Sequence, residues 1–296
     1  MKQSDFLRHL LLGPDAFPPP SATVHVEIGA ASRQGTAQPA NTDHFVVCRL
    51  GRSQETLLTN LPGDAVSRRF DEQAYGLIVA DGMGEAGELA SALVLAGLQQ
   101  LAVRFGRWNV RVDDMLAPEI IERITHFYRQ IDSALVHVNR AGQIGPLHST
   151  MTGVLTAGKD LFFAHVGHSR AYLYRSSELI QMTRDHTHAI LRDRARAHLV
   201  DLTGAASDVH HILTDALGAG TVDPEIDVER LSLADGDQVM VCTNGLTDVV
   251  DDLDLAPVLG SGRPVQEICD ALVARAFDAG ASDDVTVLLA RYHVPA

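Results

Sequence analysis

The stretch Leu77-Ile78-Val79-Ala80-Asp81-Gly82-Met83-Gly84 decides how this chain is read. Four apolar residues run directly into Asp-Gly, and another glycine follows two positions later. A buried strand that ends this way projects one carboxylate from a rigid edge. The glycines then allow a tight turn that leaves a backbone carbonyl aimed at the same spot. A carboxylate beside a carbonyl supplies the hard oxygen donors that Mg²⁺ or Mn²⁺ takes. An Asp-Gly turn after a core strand explains the same residues without a metal, so the other ligands must come from elsewhere in the chain.

After Gly84 the period changes. Glu88 to Phe105 is rich in Ala and Leu with almost no charge, which predicts a helix buried on most sides. A second helix starts at Pro118, with Glu119 and Glu122 in its first turns and Ile120, Ile124, Phe127, Ile131, Leu135 and Val138 at spacings of three and four. On the other side of the opening stretch, Ala22 to Ile28 and His44 to Leu50 read as strands, and Gly51 to Ala74 as a long loop. Downstream, Thr150–Thr156, Leu161–Val166, Arg170–Arg175 and Leu179–Met182 form a predicted antiparallel meander with short turns. Residues 186–211 are polar and rich in His and Arg, and read as a surface excursion. Gln238–Cys242 is a further buried strand ending near Asn244-Gly245, Pro264–Phe277 a helix, and Val285–Tyr292 the closing strand. Residues 1–22, with Pro14 and Pro18-Pro19-Pro20, read as an extension and stiff linker ahead of one domain spanning 23–296.

The 296 residues are 46% hydrophobic and 21% charged, enough for one large core. A net charge of −14 argues against nucleic acid and anionic membrane surfaces as partners. No apolar run has membrane-spanning length, and the N-terminal Phe6 and Leu10-Leu11-Leu12 are interrupted by Arg8 and His9, unlike a signal peptide. Cys48, Cys242 and Cys269 have no metal-like spacing and read as thiols of a reducing compartment. Together these features predict a cytoplasmic protein.

Acidic or amide residues recur where strands meet turns: Asp43 opens a strand, Asp81 and Asn244 close strands, and Asp283 opens the last. Singly, each is explained as a turn or capping residue. Together they suggest a shared metal site, which spacing alone does not establish.

The same positions carry a resemblance to a known family. Gly35 with Asn41-Thr42-Asp43-His44-Phe45, Val79-Ala80-Asp81-Gly82-Met83-Gly84, and Val166-Gly167-His168-Ser169-Arg170-Ala171-Tyr172-Leu173 resemble three motifs of the metal-dependent PPM serine/threonine protein phosphatases. Thr183-Arg184-Asp185-His186-Thr187, Leu213 to Gly218, Cys242-Thr243-Asn244-Gly245-Leu246-Thr247-Asp248 and Asp283-Asp284-Val285-Thr286-Val287 resemble further motifs, in the family's order. The resemblance implies an α+β fold, a four-layer α-β-β-α sandwich of two antiparallel sheets flanked by helix pairs. It implies two Mn²⁺ or Mg²⁺ ions, with Asp81 bridging them, the Gly82 carbonyl binding one, and Asp283 with residue 244 completing the other. It also implies phosphoserine or phosphothreonine in a protein as substrate, opposing a serine/threonine kinase.

Departures from the family pattern fall on the same site. Asn244 and His168 stand where the family has metal-associated aspartates, and Thr42 replaces a glutamate beside the second metal. Gln38 takes the place of a phosphate-binding arginine, for which Arg33 is a nearby substitute. Two readings follow: a phosphatase with weakened activity or altered metal preference, or a pseudophosphatase that keeps the fold as a phosphoprotein-binding module.

Overall fold

The computed structural model describes residues 24–61, 68–106, 116–142, 144–187, 213–220 and 224–294. The predicted extension 1–22 and nearly all of the 186–211 excursion lie outside the described residues. The strands are β1 (His25–Arg33), β2 (Asp43–Glu55), β3 (Arg69–Met83), β4 (His148–Ser149), β5 (Met151–Ala157), β6 (Asp160–Val166), β7 (Arg170–Arg175), β8 (Glu178–Gln181), β9 (Asp227–Ser232), β10 (Gln238–Cys242) and β11 (Val285–His293). The helices, in chain order, are α1 (Gly87–Phe105), α2 (Ala117–Ala141), the single turn α3 (Asn244–Thr247), α4 (Asp252–Leu259) and α5 (Val265–Asp278).

One sheet runs β1-β11-β10-β7-β8 and the other β2-β3-β5-β6-β9, with β4 paired to the end of β3. The strand pairs among the described residues are antiparallel. The sheets bury one face against each other through Leu77, Val79, Val154, Leu161, Val241, Leu288 and Tyr292. On the outer face of the β3 sheet, Ile78, Ala80, Met151 and Val166 pack under Ala90, Val94, Tyr128 and Ile131 of α1 and α2. On the outer face of the β11 sheet, Met240, Val287 and Leu289 pack under Leu255, Ile268 and Leu272 of α4 and α5. Alternation along β3 accounts for this: Leu77 and Val79 face one layer, Ile78 and Ala80 the other. The result is the four-layer α-β-β-α sandwich. No helix among the described residues is long and apolar enough to cross a membrane.

Two expectations are corrected, and two elements are added. The Gly51–Ala74 loop is largely a hairpin: β2 continues to Glu55 and β3 starts at Arg69, paired residue by residue. Because β5 pairs with β3 only from Ala74 onward, these arms have no core to cover, so they carry no apolar alternation. Helix α1 is not buried on most sides. Ala90, Ser91, Val94 and Leu95 face the sheet, whereas Leu89, Leu93, Val103 and Phe105 are exposed, as befits an outermost layer. The edge strand β9 and helix α4, with Pro257 inside it, went unread because one alternates weakly and the other carries a helix breaker.

Candidate metal centre

The register of β2 against β3 sets the site. Asp43 pairs directly with Asp81, so two carboxylates share one face of adjacent strands. Asp81 is not at the end of its strand. β3 continues through Gly82 and Met83, which pair with Ser149 and His148 of β4. The Asp81 backbone is held on both sides: its N–H donates to Thr150 Oγ1 at 3.1 Å, and its carbonyl accepts from Thr150 N–H at 2.8 Å and Ser149 Oγ at 3.0 Å. The Asp81 side chain is left for the cleft. Next to it, Gly82 packs on Gly87 so closely that a Cβ at Gly82 would lie 1.8 Å from the Gly87 carbonyl oxygen. Gly84 makes the following turn at φ 77°, a conformation that disfavours side chains.

Asp81, Gly82, Asp283, Asn244, His168, Gln38 and Thr42 line one cleft of about 490 Å³, together with Met83, Gly84 and Asp248. Asn244 opens α3 rather than closing β10, and its Nδ2 donates to Asp248 Oδ2 at 2.9 Å. That bond leaves Oδ1 as the amide's acceptor. Asp43 is behind the wall, buried beside Asp81, and accepts a hydrogen bond from Thr243 Oγ1 at 2.7 Å. Thr243 in turn accepts from Thr286 N–H at 3.0 Å, tying β10, β11 and β2 together beneath the cleft.

Two further residues are placed by the fold, one with the site and one away from it. Gln38 is exposed on the cleft wall, its carbonyl accepting from Gln34 Nε2 at 3.1 Å. Arg33 does not join it: the guanidinium stacks 4.0 Å over the Phe277 ring, and Arg33 is not among the lining residues. The expectation that Arg33 replaces the phosphate-binding arginine is therefore corrected, since that cation is engaged with α5. Nor does Arg170 supply charge to the cleft, because its guanidinium makes a bidentate pair with Asp185 at 2.9 and 2.7 Å. Among the described lining residues there is neither Arg nor Lys.

The electrostatics follow from crowding. Burial pushes the Asp43 carboxyl up to about 8, against hydrogen bonds from Thr243 and Thr286 that pull it down, with Asp284 and Asp283 pushing the same way as burial. Asp81 is raised well above the ordinary carboxylate range, first by burial and then by Asp43, Asp283, Asp284 and Asp248. Like charges this close are unfavourable unless a proton or a cation sits among them. Among the described residues, no trio of His, Cys, Asp and Glu side chains is gathered in metal-binding fashion. The donors that fit a hard cation are mixed: the Asp81 and Asp283 carboxylates, the Gly82 carbonyl and the Asn244 amide oxygen.

The sequence left unassigned two residues that the fold brings in, Asp248 and Asp284. Both sat inside quoted motifs, but only the contacts reveal their partners. A two-sheet sandwich whose cleft gathers carboxylate, amide and backbone oxygens defines an α+β domain with hard oxygen donors at one site. The chain belongs to the SpoIIE/PPM family: residues 71–293 match the family model described as Stage II sporulation protein E (SpoIIE). The serine/threonine protein phosphatase PstP of Mycobacterium tuberculosis is 31% identical over 221 residues, covering 72% of this chain and 40% of that protein. The chain thus spans less than half the length of that curated relative. The serine/threonine phosphatase stp of Listeria monocytogenes is 28% identical, covering 72% of this chain and 82% of that protein. Among solved structures, the M. tuberculosis phosphatase PstP/Ppp superposes with a TM-score of 0.67 at 27% identity, over 90% of this chain and 98% of that one. A PstP catalytic domain in complex with two manganese ions superposes with a TM-score of 0.64 at 25% identity, over 92% of this chain and 100% of that one.

Proposed function

We propose that this domain hydrolyses phosphoserine and phosphothreonine in proteins, using Mn²⁺ or Mg²⁺ held at the Asp81 cleft. The observation that carries the reading is the convergence of Asp81, Gly82, Asp283 and Asn244 on one cleft, with Asp43 paired behind Asp81. A PstP catalytic domain of the same fold binds two manganese ions. Asp81 and Asp283 are the charged ligands, and Gly82 and Asn244 add neutral oxygens. When bound, such ions supply Lewis acidity, acidifying water and neutralising phosphoryl charge.

The chain's own residues set the limits of that chemistry. Asp43 stands opposite Asp81 across the strand pair, held by Thr243, and is not among the described residues lining the cleft. Asn244 donates an oxygen but no charge, and hard-cation affinity follows ligand charge, so the site is selective for conditions of ample divalent ion. Gln38 can donate a hydrogen bond to a phosphoryl oxygen from the wall, though without the charged fork of an arginine. His168 adds an imidazole to the same wall, as a hydrogen-bonding group or a ligand for a softer ion.

Phosphate release from a phosphothreonine peptide tests the reading. Turnover is expected with Mn²⁺ and should vanish on chelation. A folded chain that binds the phosphopeptide yet releases no phosphate at any Mn²⁺ or Mg²⁺ concentration would overturn it in favour of the phosphoprotein-binding module.

A further inference from the structure

Thr42, read from sequence as a lost glutamate, is a junction in the folded chain. Its N–H donates to Asp284 Oδ2 at 2.7 Å and its hydroxyl donates to the same oxygen at 3.0 Å. Its carbonyl accepts from Gly82 N–H at 3.1 Å and from Ser91 Oγ at 2.6 Å. One residue therefore connects the start of β11, the Asp81-Gly82 segment of β3 and the first turns of α1. Asp284 completes the junction from the other side. Its second oxygen, Oδ1, accepts from Gly35 N–H at 2.8 Å. A single buried carboxylate thus grips both ends of the loop that carries Gln38. The Ser282 carbonyl accepts from Thr36 and Ala37 N–H at 2.7 and 2.8 Å, stitching the same loop to the residue before Asp283.

Donor and acceptor roles in this junction are fixed. Asp284 offers only acceptors and meets three donors. An asparagine there would turn an N–H₂ group toward at least one N–H. A glutamate at 42 would bring a second carboxylate against Asp284. We infer that Thr42 and Asp284 form a positioning pair that fixes Asp43, Asp81-Gly82 and Asp283 relative to one another, so that the threonine is a working part of this centre and not a vacancy left by a glutamate. The inference rests on the hard-cation reading of the cleft for its functional consequence, and on hydrogen bonds alone for its geometry.

The test uses the whole chain with Thr42→Val, Thr42→Ser and Asp284→Asn, read in two ways. Amide hydrogen exchange, which needs no metal, should quicken at Gly35 and Thr42 in Asp284→Asn. It should quicken also at Gly82, which Asp284 does not touch. Unchanged exchange at Gly82 overturns the positioning role and leaves only a local contact. Mn²⁺ titration by electron paramagnetic resonance should show about tenfold weaker binding in Thr42→Val, the value of one hydrogen bond to a carboxylate. Thr42→Ser, which keeps the hydroxyl, should bind as wild type. The double variant Thr42→Val/Asp284→Asn should be no weaker than Asp284→Asn alone, because both changes remove the same junction. Equal Mn²⁺ affinity in wild type and Thr42→Val, with both folded, overturns the inference. If Thr42→Val does not fold, weakened binding in Thr42→Ser overturns it instead. A wild-type chain that binds no Mn²⁺ sinks the phosphatase reading, and the junction is then judged by exchange at Gly82.

Discussion

The lining of the cleft divides by charge into an acidic and a neutral wall. The first set, from β3 and the residues just before β11, offers the Asp81 and Asp283 carboxylates, with Asp43 and Asp284 buried nearby. The second is Gln38, His168 and Asn244, the last bonded to the Asp248 carboxylate, and no Arg or Lys is among the described lining residues. Holding a metal and holding a phosphate would be separate tasks, and the described side chains bring charge only to the first, with Asn244 neutral even there. On the proposed function, bound cations would have to attract the phosphoryl group, since the described lining residues contribute no fixed positive charge.

The largest effect is expected on the acidic wall. Asp81→Asn should reduce Mn²⁺-dependent phosphate release by on the order of a thousandfold. The same change should raise the thermal midpoint of the metal-free chain, because an amide escapes the cost of burying an ionisable carboxyl beside other carboxylates. A variant that loses activity and also melts lower would show that Asp81 holds the fold and not the cation.

Next comes the neutral wall. Asn244→Asp should tighten Mn²⁺ binding by about tenfold, measured by calorimetry, since ligand charge governs affinity for hard cations. No gain would mean that Asp248, the present partner of Asn244, already supplies the missing charge. Gln38→Arg should lower KM for a phosphopeptide by about fivefold with a smaller change in kcat, as uniform binding of the phosphate would do. Arg33→Gln is the control, and should leave KM within about twofold, because Arg33 stacks on Phe277 outside the cleft.

The smallest effect is one of pH. In the metal-free chain Asp43 keeps its proton up to about 8, whereas an unfolded aspartate releases it near 3.8. The folded state therefore binds the proton more tightly. The stability this contributes is full below pH 3.8 and is lost as pH rises through about 8. Melting of chelator-treated protein should occur at a lower temperature at pH 8 than at pH 5, and added Mn²⁺ should narrow the difference. A profile that rises between those values would show that the carboxylates are not crowded in solution.

How far the sequence reached can be judged residue by residue. Asp81, Gly82, Asp283 and Asn244 were legible because each sits where an apolar run meets a turn. One helix of each outer layer was legible because Ile120 to Val138 and Val265 to Ala276 repeat at three and four, while the layering itself came from the family resemblance. The Gly51–Ala74 hairpin was not, because strands that cover nothing carry no pattern. Arg33 was misplaced because nearness in sequence says nothing about which side of a strand end faces the cleft. Thr42 was read as a loss because its worth lies in four hydrogen bonds to residues 40 or more positions away.

By itself, then, the sequence determined most of the elements and the oxygen-bearing residues that line the cleft: local periodicity selects helix or strand, and chemistry at strand ends places carboxylates and amides. Tertiary structure alone decided that Asp43 stands opposite Asp81 and that Asp284 grips Gly35 and Thr42. It also decided that neither Arg33 nor Arg170 is among the described residues lining the cleft. Register and long-range hydrogen bonds are set when the two sheets pack, and neither leaves a local trace in the order of residues.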